Sequence, residues 1–249
     1  MSKGRKILLI LGVCLAVIAA AAMTINFGAD MVREKVSEAV RESLDSQITI
    51  GSISGNPFKG YEMSDISLSA DGAEIFSAGS IRAKVSVLAL LTGSPPVSLL
   101  EIRGFASDVD KINRLIPRIK RGDEGGQIPL RRIRILDSTL ISEWAEANIS
   151  EVALSFNGSL IDIDLDVMID DLPVKGELDV SMEADSSAIR KMDLDIGQGK
   201  LSSAGTVTPV LSVEGNAKDL DIARLIAFWP KAEPDLYKGL LSTGFSAKG

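Results

Sequence analysis

The chain of 249 residues has no histidine, one cysteine, and aromatic side chains at only 4% of positions. Each shortage removes a class of function. Without histidine there is no Ser-His-Asp triad, no HExxH zinc site, no His-based metal triad and no imidazole pH switch. Cys14 lies alone inside an apolar run, so it forms no intrachain disulfide and no CxxC redox or metal site. With Val13 before it, it does not fit a lipoprotein site either. Basic charge is also short: 27 Lys+Arg stand against 34 Asp+Glu, giving a net charge of -7 and a pI near 4.8. A nucleic-acid partner needs a basic face for its phosphates, and this balance argues against one.

What the chain does have begins at its N-terminus. Lys3, Arg5 and Lys6 precede an uncharged run over 7–25, led by Ile7, Leu8, Leu9, Ile10 and Leu11 and continued by Leu15, Val17 and Ile18. At 1.5 Å rise per residue, roughly 19 residues nearly span a hydrocarbon core of about 30 Å, whereas a secretory apolar region is about 7 to 15 residues long. Length favours a transmembrane signal-anchor, although Ala20-Ala21-Ala22 also fits a signal-peptidase site, and both readings export the rest. The three early cations place residues 1–6 in the cytoplasm by the positive-inside rule. Setting those cations aside leaves 24 Lys+Arg against 34 Asp+Glu in the exported part, a net of -10, which anionic headgroups should repel.

An amphipathic connecting helix is expected over 29–46: Val32, Val36, Ala39, Val40 and Leu44 recur at helical spacing among charged residues. A helix that covers a sheet end is favoured over a membrane-surface helix, because its charges are mixed rather than basic. From residue 47 to 249 the period becomes two, as in Ile81, Ala83, Val85, Val87; Val152, Leu154, Phe156; Ile161, Ile163, Leu165, Val167, Ile169; and Val174, Leu178, Val180, Met182. These are half-buried strands with one apolar side. Asp71-Gly72, Asn157-Gly158, Asp171 to Pro173, Gly197 to Gly199 and Gly215-Asn216 read as turns, giving a mainly β fold built as an antiparallel meander. Two helical interruptions start at Asp108 and Asp219, each with an N-cap aspartate and a nearby proline, so a weak repeat and coincidence both stay open. The segment 121–127, RGDEGGQ, reads as a surface loop.

Motifs for chemistry fail on inspection. Asp162-x-Asp164-x-Asp166 starts like a calcium loop, but Val167 stands where glycine is needed and Pro173 where glutamate is needed. Strand alternation explains the aspartates as an outer face. Gly199-Lys200 lacks the leading glycine and the Ser/Thr of a phosphate loop. Arg131, Arg132 and Arg134 flank Ile133 and Ile135, which makes one polar strand face the favoured reading and an anionic-headgroup or partner contact the other. Trp144 and Trp229 are isolated, and packing at element ends outweighs ligand stacking. No catalytic, metal or cofactor site is expected, and the chain is not read as an enzyme.

One stretch carries a family signature. Ile48-Thr-Ile50-Gly51-Ser-Ile53-Ser-Gly55 is followed by Gly60-Tyr61-Glu-Met63-Ser-Asp65-Ile66-Ser-Leu68, by Ile81 to Leu91 with Thr92-Gly93, and by Leu100-Glu-Ile102-Arg-Gly104. Together with Ile133-Arg-Ile135-Leu136-Asp137 and the segment from Gly205 to Gly244, this resembles AsmA-like proteins, closest to the TamB branch. Such proteins are usually several times longer, so the end at Gly249 reads as that of a fragment. The resemblance implies an inner-membrane anchor and a periplasmic, elongated sheet curled into a taco-like apolar groove. It also implies phospholipid transport between membranes and outer-membrane biogenesis, with an assembly or secretion scaffold for outer-membrane β-barrel proteins, lipid incidental, as the alternative; the partners are the inner membrane, acyl chains and an outer-membrane β-barrel assembly protein. Ile50, Ile81, Val85, Ile102, Ile135, Leu154, Ile163, Leu165, Leu178 and Val180 would line the groove. Alternation alone would equally build a closed sandwich, since it says which face is covered but not by what.

Overall fold

A computed structural model describes residues 29–56, 60–85, 97–115, 130–183, 186–208, 210–227 and 239–248. No helix among them is long and apolar enough to cross a membrane. The expected anchor at 7–25, its flank at 1–6, Val87, the Thr92-Gly93 segment, the loop at 121–127 and Trp229 lie outside the described residues. The protein is mainly β, and the chain divides into two compact units, Met1–Ser142 and Glu143–Gly249.

Unit 1 opens with α1 (Ala29–Leu44). Val32, Val36, Val40 and Leu44 repeat every four residues on one face, each at most 1% exposed, and α1 packs against β1 (Gln47–Asn56). Burying each of these side chains stabilises by about 1.5–3 kcal/mol. The helix stops two residues earlier than the sequence spacing indicates. Asp45 takes a left-handed φ of 48° and its N–H returns to the Arg41 carbonyl at 3.1 Å, which ends the last turn.

The sheet of unit 1 runs β1, β2 (Gly60–Ala70), β3 (Ala73–Val85), β4 (Val97–Arg103) and β6 (Arg132–Ile141), while the short β5 (Ala106–Asp108) pairs with both β3 and β6. It is not antiparallel throughout: β4 and β5 both run parallel to β6. The segment between them, which contains α2 (Val109–Leu115), is long enough for the crossover that a parallel neighbour requires. Asp108 caps α2, its Oδ1 accepting the Asp110 N–H at 2.7 Å.

A line of unusual backbone crosses this sheet. Asp65 in the middle of β2 has φ 54°, and strand register places Gly51 and Gly79 opposite it on either side. The line continues through Gly104, which accepts from Gly79 N–H and whose own N–H donates to Leu136 O, and so to Asp137 with φ 49°. At this line the buried positions shift phase by one residue, from Met63 to Ile66 on β2 and from Ala78 to Ile81 on β3. The Gly and Asp positions of the family-like signature are therefore the places where the backbone turns left-handed or strands approach closely. A Cβ added to Gly51 would meet the Asp65 Cβ at 2.9 Å.

Unit 2 is a strictly sequential antiparallel sheet: β7 (Glu146–Asn157), β8 (Leu160–Ile169), β9 (Leu172–Met182), β10 (Ser187–Ile196), β11 (Gly199–Thr208), β12 (Ser212–Asp221) and β13 (Leu240–Lys248). Its one described helix, α3 (Ile222–Ala227), has its cap at Asp221 rather than Asp219: Asp221 Oδ1 accepts from Ala223 N–H at 3.0 Å, while Asp219 is a left-handed strand residue. The turn before β9 is Asp170-Asp171, and Pro173 lies inside the strand. Gly215-Asn216 is not a turn either. Both residues lie within β12, and the β11–β12 connection falls at 209–211. Gly215 is glycine because a Cβ there would meet the Phe245 ring at 2.5 Å and Ser202 O at 2.4 Å.

Candidate functional site

Strand register sorts the ten expected groove residues into two groups. In unit 1, Ile81, Ile102 and Ile135 lie side by side on β3, β4 and β6, and Ile50 pairs with Ile66. All four are buried, between 2% and 7% exposed, in the same core as the apolar stripe of α1. Protein covers this face. Val85, opposite Val97 at the end of β3, has no described side chain.

In unit 2, Leu154, Ile163 and Leu178 form one row across β7, β8 and β9, which continues through Met192, Ser203, Gly215 and Phe245 to β13. Beside it run Val152, Leu165, Gly176, Leu194, Leu201 and Ala217 on one side, and Phe156, Ile161, Val180 and Ile189 on the other. Leu154, Ile161 and Ala217 are buried, but Ile163, Leu165, Leu178 and Val180 are half-buried. The one described helix of this unit, α3, packs on β12, and its Arg224 reaches the β8–β9 turn, donating to Asp171 O at 3.4 Å. The result is an apolar face six strand spacings across, roughly 29 Å measured along the sheet. Small residues occupy its β11–β12 part, where Ser203 is 8% exposed and its hydroxyl has no hydrogen-bond partner among the described residues.

The opposite face of the same strands is charged. Asp162, Asp164 and Asp166 of β8 face Asp179, Glu177 and Lys175 of β9, and Asp193 and Asp195 of β10 continue the rows. Lys175 binds Asp166 at 2.8 Å, and Lys200 lies 3.1 Å from Asp195. Lys191 donates to Glu177 and lies 3.3 Å from Asp193, and these two hydrogen bonds raise its ammonium above the ordinary lysine range. No group of three or more metal-ligating side chains converges among the described residues. The aspartates of β8 thus behave as an alternating outer face, one of them committed to a lysine.

Two further expectations resolve differently. Trp144 is 57% exposed in the connection after β6 rather than buried. Of the three arginines, Arg134 lies 3.5 Å from Glu101, whereas Arg131 and Arg132 are exposed and unpaired among the described residues. Sequence reasoning also missed Gly176, Ser203, Gly215 and Phe245 as members of the apolar face. Their small size or isolation gave no alternation to follow, and only register brings them together. No family model matches the chain, and no curated protein matches it.

Proposed function

We propose that this is a membrane-anchored, non-enzymatic protein of the AsmA-like kind, held in the inner membrane by residues 7–25 with its bulk in the periplasm. On this reading it supports phospholipid transport and outer-membrane biogenesis by lodging acyl chains against the apolar face of unit 2. The observation that carries this is the contrast between the two units. The apolar face of unit 1 is buried with α1, while the face of unit 2 keeps Ile163 and Leu165 of β8 and Leu178 and Val180 of β9 half-open. An acyl chain within one leaflet spans about 15 Å, which this face exceeds. A charged reverse side and the scarcity of aromatic rings suit a surface that slides along hydrocarbon rather than stacking a ring ligand.

Leu165→Asp or Leu178→Asp puts a carboxylate in the middle of the face, and each should reduce acyl-chain photocrosslinking at least tenfold while the protein stays folded. Unchanged crosslinking in folded variants would sink the reading. A second role is that of an assembly scaffold, which offers a strand edge to an outer-membrane β-barrel protein with lipid incidental. Under that role partner capture should persist in Leu165→Asp/Leu178→Asp, whose changes lie on the apolar face.

A further inference from the structure

The outer face of unit 1 carries its charges in rows set by register. One row holds Glu62, Arg82, Glu101 and Arg134 on adjacent strands. Arg82 Nη2 donates to Glu62 at 2.7 Å and Arg134 lies 3.5 Å from Glu101, so each cation in this row has a carboxylate. The next row toward the strand ends differs. Lys84 lies opposite Leu99, and Arg132 of β6 follows beside it, with Arg131 tied by its N–H to Val97 O at 3.0 Å. Lys84, Arg131 and Arg132 are all exposed, and no described carboxylate lies within ion-pair distance of any of them.

This end of the sheet is also the one toward which the start of α1 points. The helix runs antiparallel to β1: Arg33 donates to Gly51 O at 3.3 Å, while Leu44 leads into Gln47. With the helix axis along the strand, 1.5 Å per helical residue and about 3.3 Å per strand residue would bring Ala29 about level with Ile53, roughly 10 Å short of the strand end. That end includes Lys84, because a Cβ on Gly60 would lie 3.2 Å from the Lys84 Cα. Only residues 26–28 separate Ala29 from the apolar run that ends at Ile25, and such a link reaches at most about 14 Å. The interfacial layer on each side of a bilayer is about 5–7 Å deep.

We propose that the Lys84, Arg131 and Arg132 end of unit 1 docks on the anionic phospholipid headgroups of the membrane that holds the N-terminal segment. This rests on the reading of 7–25 as an anchor, but not on acyl chains entering unit 2. The net charge of the exported part opposes approach at long range. Within about 8 Å, the screening length at physiological salt, these three cations, unpaired among the described residues, outweigh it.

The test uses the full chain in nanodiscs containing phosphatidylglycerol, with a photoreactive group on the headgroup in one sample and on the acyl chain in another. Headgroup crosslinks should map to peptides containing Lys84 and Arg131-Arg132. They should fall on the order of a hundredfold in Lys84→Gln/Arg131→Gln/Arg132→Gln, and fall likewise when phosphatidylcholine replaces the anionic lipid. Lys200→Gln should change nothing. Equal headgroup crosslinking in the triple variant, or crosslinks centred elsewhere on unit 1, would overturn the proposal. Acyl-chain crosslinks to 7–25 report the anchor and those to Leu165 or Leu178 report lipid lodging, so loss of either reading is seen separately from loss of this one.

Discussion

At the residue scale the informative positions are aspartates and glycines. All six described non-glycine residues with positive φ are aspartates, among them Asp65 and Asp137 on the line that crosses the sheet of unit 1. Aspartate tolerates the left-handed region better than branched residues, which lose about 1–2 kcal/mol there. Asp65→Gly should therefore be neutral or stabilising and Asp65→Val destabilising by about that amount, read from urea unfolding midpoints. Gly51→Ala should cost about 1–3 kcal/mol by overpacking against the Asp65 Cβ, and that cost should shrink in an Asp65→Gly background. Additive costs would show that the two positions do not act through their contact. The sequence displayed these residues as a degenerate pattern, but periodicity of two could not reveal that they shift the phase of burial, because the shift depends on backbone dihedrals.

Titration belongs to the same scale. The Lys35 ammonium, 2.7 Å away, hydrogen-bonds the Glu38 carboxylate and holds it below its usual range, while Glu177 and Asp193 raise Lys191. The Glu38 contribution is present above its unfolded value and lost as pH falls through the folded one. The Lys191 contribution is present below its unfolded value and lost as pH rises through the folded one. With no histidine in the chain, the thermal midpoint should be flat between about pH 6 and 9. A step near pH 6.5 would contradict this.

At the element scale the two units make opposite demands on similar side chains. Leu44 of α1 is 1% exposed in the core of unit 1, and Leu44→Ala should cost about 2–5 kcal/mol. Leu165 of β8 is half-buried, so Leu165→Ala should cost about 1 kcal/mol or less by the same urea measurement. Equal costs would mean that the unit 2 face is covered as completely as that of unit 1. The apolar stripe of α1 and the strands of β8 and β9 were legible in the sequence, since helical and strand periods are regular there. The parallel pairing of β4 with β6 and the placement of Gly215 inside β12 were not. Pairing partners and close backbone approaches depend on contacts distant in sequence, whereas a glycine signals a turn and a crowded strand equally well.

At the scale of the whole molecule, alternation established that each strand has an apolar side, and the described residues divide those sides into a covered core and a half-open face. The ten expected lining residues therefore do not form one uniform site. Four belong to the core of unit 1, and the lipid reading rests on the face of unit 2. The most direct measurement is native mass spectrometry with lipid extraction on residues 29–249, purified without detergent. The account predicts stoichiometric phospholipid on the native sequence and its loss in Leu165→Asp/Leu178→Asp. A lipid-free, compact and monodisperse native protein would contradict an acyl-binding face and move the assembly-scaffold role ahead of transport.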